Sequence, residues 1–298
     1  MASAAADLSV GGGAGTGAIT GAAARPLLPA SAFYVVFFAL PMLGLFVLSF
    51  WRAKGFDLIP TFTFENYGKI WGSTLHRTLL LRTVVIGFAT AAIVVPVAFG
   101  LAYAMRFVFA RWANLILQLA LISLFSGYLV RIYAWRTILG KQGLLNSALQ
   151  WSGITDAPLE FLIYSNFATV VTLAGLLLPL AVLPLYAAMS NVSREELDAA
   201  RDLGSRRFHL IRTILVPLTM PGIRTAFAFA FLLAAGDFVT PSLVGGTNGI
   251  MIGNVIADQF RGIGSNWPLG AALAFVTMSF VLAIYFAVMG LVKAVSRW

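Results

Sequence analysis

The stretch Asp198-Ala-Ala-Arg-Asp-Leu-Gly204, together with the Ile214-Leu-Val-Pro217 that follows it, is a polar, helix-prone island between long apolar runs. A chain built of runs long enough to cross hydrocarbon has little use for a charged loop of this kind except to present it to something soluble. The island therefore separates two membrane spans and marks the loop between them as a gripping surface.

The rest of the chain agrees with that reading. Its 298 residues are 60% hydrophobic and only 10% charged, with a mean hydropathy of +0.90. A soluble domain is nearer half apolar and a quarter charged, so most of this surface must face lipid. The 28 Gly and 12 Pro fit the same class, since both are commoner in membrane helices than in soluble ones. The net charge of +9 does not indicate nucleic acid, because Lys and Arg lie between apolar runs rather than in one basic stripe. The absence of cysteine excludes disulfides, thiolate metal sites and thiol catalysis. His76 and His209 stand far apart in different loops, which argues against a histidine metal site.

Six apolar spans are expected, near 27–50, 82–105, 113–135, 161–189, 222–244 and 269–292. Each can cross about 30 Å of hydrocarbon at 1.5 Å per residue. The first is long, lacks a small-residue cleavage site and is followed by more spans, so it reads as an uncleaved helix. Residues 1–24 are Ala, Gly, Ser and Thr with one acid, Asp7, and read as a flexible tail ahead of a transmembrane domain over 25–298. The glycines of the tail lack the Lys-Ser/Thr pair of a phosphate loop. An even number of crossings puts both termini on one side. With that side the cytoplasm, inner segments hold Arg25, Arg106, Arg111, Arg194, Arg201, Arg206, Arg207, Arg212, Arg224, Lys293 and Arg297, which is 11 of the 20 basic residues. The bias is clearest in the short 106–112 turn and at the C-terminus, where the positive-inside rule has most force. The outer segments, near 51–81, 136–160 and 245–268, carry Phe62, Phe64, Tyr67, Trp71, Trp151 and Trp267 as interfacial anchors or short re-entrant turns.

Within the island, 193–216 reads as a helix–turn–helix. Ser193 can cap it and Glu196 completes a capping box. Leu197, Ala200, Gly204, Phe208, Ile211 and Leu215 recur at spacings of three and four and predict one apolar face. Gly204 offers a bend, and Pro217 and Pro221 end the island and start the fifth span. Periodicity alone leaves two readings open: a docking element, or an amphipathic helix lying on lipid with its arginines toward phosphates.

The residues themselves resemble the Glu-Ala-Ala, three residues, Gly, nine residues, Ile-x-Leu-Pro motif of ATP-binding cassette importer permeases. Asp198, Ala199, Ala200, Gly204, Ile214 and Pro217 fall at the matching positions; Asp198 stands for Glu and Val216 for Leu. The resemblance implies an all-α, six-helix integral membrane protein of the MetI-like permease fold, in which the loop 193–217 is a cytoplasmic coupling helix. It implies that Asp198, Ala199, Ala200, Gly204, Phe208, Ile214 and Pro217 engage a cytoplasmic ATPase dimer that binds ATP and Mg²⁺, with no cofactor on this chain itself. A second permease subunit and an extracytoplasmic solute-binding protein are the other implied partners, besides membrane lipid. The site implied is the bacterial inner membrane. Arg131-Ile-Tyr-Ala-Trp135, Lys141-Gln-Gly-Leu-Leu-Asn146, Gly236-Asp-Phe-Val-Thr-Pro-Ser-Leu-Val-Gly-Gly246 and Asn266-Trp-Pro-Leu-Gly270 look like the spermidine/putrescine-type branch and its first permease subunit.

Asp237 is the one acid within the fifth span. A charge at membrane depth is costly and marks a functional candidate, here a carboxylate for an ammonium; the competing reading is an outer-interface cap for the turn before Pro241. Tyr128, Tyr133 and Trp135, with Arg131 and Arg136, form an aromatic and basic cluster that could touch a cation or belong to an interfacial belt. Pro96, Pro179 and Pro184 lie inside spans, where they loosen packing. A stand-alone secondary transporter would need more inward acids or histidines than these. An intramembrane enzyme would need His-Glu-x-x-His, paired carboxylates or a Ser/His set, and none is present.

Overall fold

In the computed structural model the chain is described over residues 27–55, 57–202, 204–261 and 265–295; the tail expected over 1–24 lies outside these. Helix α1 (Leu27–Tyr34) runs through a π-helical turn at Val35–Ala39 into α2 (Leu40–Leu48). A small antiparallel hairpin follows, β1 (Arg52–Lys54) with β2 (Asp57–Ile59), pairing Arg52 with Ile59 and Lys54 with Asp57. Then come α3 (Glu65–Gly72), α4 (Thr74–Tyr103), α5 (Ala113–Phe125), α6 (Tyr128–Leu139), α7 (Leu144–Trp151) and α8 (Asn166–Ser190). The island holds α9 (Arg194–Asp202), α10 (Arg207–Leu210) and α11 (Val216–Leu218), the last two joined by a π-helical turn at Ile211–Leu215. The chain finishes with α12 (Met220–Gly236), α13 (Ile252–Arg261) and α14 (Trp267–Val295).

Four helical stretches are long and apolar enough to cross a membrane unbroken: Ser31–Leu48, Thr74–Val108, Asn166–Ser190 and Trp267–Ala294. Two more are bent pairs. Ala110–Phe125 meets Tyr128–Trp151 at 101°, and Phe208–Leu218 meets Met220–Gly236 at 77°. Six crossings result if each pair counts as one. The straight third span expected over 113–135 is thus corrected: Ser126 and Gly127 adopt extended ψ angles of 142° and 129° and turn the chain. The fifth span, expected over 222–244, stops as a helix at Gly236 because Asp237 is extended (ψ 132°) and turns its side chain onto its own backbone, the competition that makes Asp a poor helix interior residue. The second span begins at Thr74, earlier than expected, with the Ser73 hydroxyl capping the His76 N–H at 3.4 Å. Prolines do not cause these interior breaks, since α4 runs through Pro96 and α8 through Pro179 and Pro184.

The centre is the α4–α8–α12 trio, and small residues set its spacing. Ala91, Ala98 and Ala102 on α4, Ala181 on α8, and Ala226 and Ala230 on α12 are fully or almost fully buried; such residues let backbones approach where no hydrophobic driving force acts between helices in lipid. A Cβ on Gly222 would lie 2.6 Å from Ala188 Cβ and 2.7 Å from Pro184 O. The α8–α12 seam therefore admits glycine alone. Phe231 fills the space left beside these small residues, 4.7 Å from the Phe88 ring and 5.6 Å from that of Phe227. α14 closes one side through Gly270, packed on Gln259 and Phe260 of α13, and α2 leans on it through Phe46 and Phe275, 5.1 Å apart. No residue in the first span's apolar window is buried within the chain. Outside the bundle, Asn66 anchors the first outer segment by donating to Ser49 O (2.9 Å) and Trp51 O (2.8 Å). Short helices α3, α7 and α13 occupy the connecting segments where aromatics and turns were expected.

Candidate functional site

The island is seated on one end of the bundle by its apolar side. Leu197, Ala200, Leu210 and Leu215 are buried among Met105, Ala113, Met189 and Val192. Asp198, Asp202, Gly204, Arg206, Phe208, His209, Arg212 and Pro217 are exposed, and Ile214 is half-buried. Ala199 lies on α9, but its side chain is outside the described residues, as is that of Glu196 in the expected capping box. Gly204 has φ +82° and nothing near its absent Cβ, so its requirement is backbone angle and not space. Ser205 N–H donates to Ala200 O at 3.1 Å, the closing bond of a left-handed helix end. The expected apolar face is corrected at three places, the first being Gly204, which is exposed. Phe208 is 76% exposed, and Leu210, absent from that face, is buried. The reversal at Gly204 breaks the helical phase, so residues beyond it follow a new register. Arg106 ties the loop's entry to the end of α4 by donating to Val192 O at 3.2 Å.

A second constellation forms where the two bent spans meet. Asp237 Oδ1 accepts from Val239 N–H (2.8 Å) and Thr240 N–H (3.3 Å). Its Oδ2 accepts the hydroxyls of Tyr128 and Thr240, which are 3.0 Å from each other. The carboxylate therefore does cap the turn before Pro241, and it is also bound to Tyr128 at the break between α5 and α6. Both line a cavity of about 400 Å³ with Leu124, Arg131, Leu173, Leu176 and Leu233. The cavity reaches along α8 from Leu173 to Leu180. Arg131 donates to Leu176 O at 3.2 Å. The backbone released after Gly236 is recaptured by Asn254, which donates to Phe238 O at 2.8 Å and Ser242 Oγ at 2.6 Å; irregular backbone at membrane depth needs such partners.

Tyr133 and Trp135 are not part of this cavity. Trp135 packs with Ile132, Leu139 and Leu176, and a Cβ on Gly175 would come within 2.3 Å of its ring. Tyr133 lines a separate open cavity of about 450 Å³ with Arg136, Lys141 and Tyr164, where Arg136 donates to the Tyr164 hydroxyl at 3.1 Å. Thr240 and Asn254 escaped the sequence reading; the Asp-x-x-Thr spacing at 237–240 was the available signal. Outside the spans, Lys141 holds the Glu160 carboxyl below its ordinary range at 2.6 Å, and Lys69, then Arg52, do the same for Glu65. Both pairs persist through neutral pH and are lost only as pH falls through the lowered carboxylate values.

A profile described as "Binding-protein-dependent transport system inner membrane component" matches residues 13–298. The chain is similar to the spermidine/putrescine transport system permease protein PotB of Haemophilus influenzae, 33% identical over 85% of this chain and 89% of that one. It is 32% identical to the protein of the same name from Escherichia coli K12, over 84% and 90%. The inner membrane ABC transporter permease protein YdcU of the same strain is 28% identical over 78% and 76%. Among solved structures, a bacterial ABC transporter for import of the acidic polysaccharide alginate shares the fold, with a TM-score of 0.69, 16% identity and coverage of 94% and 96%.

Proposed function

The chain belongs to the family of inner-membrane components of binding-protein-dependent transport systems, and from that premise we propose that it forms half of the transmembrane pathway of an importer for a polyamine of the spermidine/putrescine kind. The PotB relatives, whose length it matches nearly end to end, supply the solute class. Residues 25–298 form the permease domain, and both termini, with the tail 1–24, lie in the cytoplasm. A second permease of like fold completes the pathway, and an extracytoplasmic solute-binding protein delivers the solute.

The loop 193–217 is the coupling element. One observation carries this: its apolar side is already buried against the bundle, so the exposed ring of Phe208 and the open backbone at Gly204 are left for another molecule. A helix lying on lipid would turn its apolar residues outward instead. A cytoplasmic ATPase dimer docks there through Asp198, Ala199, Gly204, Phe208, Ile214 and Pro217, while Ala200, also expected at the contact, is buried against the bundle instead; that dimer binds the ATP and Mg²⁺. Asp237 and Tyr128 line the pathway. A photo-reactive side chain placed at position 208 is expected to capture the nucleotide-hydrolysing subunit in native membranes; capture of lipid alone rejects the coupling assignment. Deletion of 198–204 is expected to abolish uptake while the chain still inserts.

A further inference from the structure

We propose that Asp237 is an exchange site for an alkylammonium group of the solute, and that Tyr128 is the donor the ammonium displaces. The inference rests on the polyamine reading above and adds how this chain recognises the solute.

An ionised carboxylate accepts about four hydrogen bonds, and Asp237 receives four. Three come from its own turn: the N–H groups of Val239 and Thr240 and the Thr240 hydroxyl. These are fixed by the local backbone. The fourth, from Tyr128, reaches across from another bent span. Tyr128 is 39% exposed and lines the cavity, so it is the donor a solute can reach and replace. All four donors are neutral. Among the described residues no Lys or Arg lies within ion-pair distance of the carboxylate, and Arg131, on the same cavity, spends a guanidinium donor on Leu176 O. Asp237 thus presents its carboxylate to the cavity without a cation in contact, the condition under which an arriving cation is most favoured.

An ammonium brings three donors, and charge-assisted bonds are about twice as strong as neutral ones. It can take the place of the Tyr128 hydroxyl at Oδ2. Arg131 across the cavity opposes prolonged occupancy, and a conducting site must also let go. The Tyr128–Asp237 bond, with the Tyr128–Thr240 contact beside it, joins the break after α5 to the break after α12, so displacement by the solute loosens one bent span from the other. Recognition and opening are then a single event.

The test uses the assembled transporter with its receptor in proteoliposomes, with radiolabelled spermidine and ATP hydrolysis as readouts. Asp237→Asn keeps the turn-capping oxygen and removes the charge; spermidine uptake is expected to fall at least tenfold, with co-purification of the partner subunits as the check on folding. Tyr128→Phe removes only the latch hydroxyl, and ATP hydrolysis without solute is expected to rise about threefold or more. If Asp237→Asn does not assemble, the Tyr128→Phe arm decides alone. Wild-type uptake of spermidine combined with normal uptake by Asp237→Asn, or an unchanged solute-free rate in Tyr128→Phe, overturns the exchange and leaves the polyamine reading standing. A wild-type transporter that ignores spermidine but imports a neutral sugar overturns both.

Discussion

Gly204 matters through one backbone angle. At φ +82° with open space around it, an L side chain meets no neighbour but pays about 1–2 kcal/mol for the left-handed conformation. Asn tolerates that region and a β-branched residue does not. Gly204→Asn is therefore expected to keep solute uptake near the wild-type rate, and Gly204→Val to lose most of it, measured in the assembled transporter at equal expression. Phe208 makes the complementary case. An aromatic ring 76% exposed on a loop with its own apolar side buried is a candidate anchor, and truncating such anchors commonly weakens binding by more than about 1 kcal/mol. Phe208→Ala is expected to reduce co-purification of the ATPase subunit at least fivefold in detergent, with membrane insertion unchanged. The spacing of Asp198, Gly204 and Pro217 was legible in the sequence because it is long and particular. The outward aim of Phe208 was not, because helical periodicity assumes one continuous helix and Gly204 ends it.

At the scale of elements, hydropathy located every long apolar run but could not see where a run changes direction. Ser126-Gly127 and Gly236-Asp237 sit inside apolar stretches, and a window average passes over them. The prolines were the visible warnings, yet α8 carries two and stays helical, as membrane helices do where neighbouring groups re-satisfy the freed backbone, whereas Asp237 turns its own side chain onto the backbone that follows. α6 packs against α8 beyond the first of these breaks, and Gly175 is the contact that sets that approach. A Cβ there would stand 2.3 Å from the Trp135 ring. Gly175→Leu is expected to lower stability by about 1–3 kcal/mol through overpacking, read as a lower apparent melting temperature in detergent. Pairing it with Trp135→Ala is expected to restore part of the loss, since the two sites share one space.

The whole molecule exposes apolar surface on a scale that suits lipid and a membrane-embedded neighbour, from Phe33 and Phe37 on the first span to Phe286 and Leu291 on the last. Class was legible from composition and approximate crossing number from the count of long apolar runs, because burying a backbone in hydrocarbon allows few solutions. Orientation rests on charge bias, and the chain offers a clean way to check it because it contains no cysteine. Asp202→Cys and Trp151→Cys place single thiols on exposed positions of α9 and α7. A membrane-impermeant maleimide is expected to label position 151 in intact spheroplasts and position 202 only after permeabilisation. The reverse pattern would turn the island outward and end its role as a docking element.

The glycine-only seam between α8 and α12 has a mechanical consequence. The loop 193–217 connects these two helices, and with Gly222 pressed against Ala188 and Pro184 they have no clearance to slide past each other. Force applied to the loop cannot splay its two arms. It must swing them together as a crank, and the bends that can yield are the one at Thr219, beside the loop, and the one at 126–127, far from where the force enters.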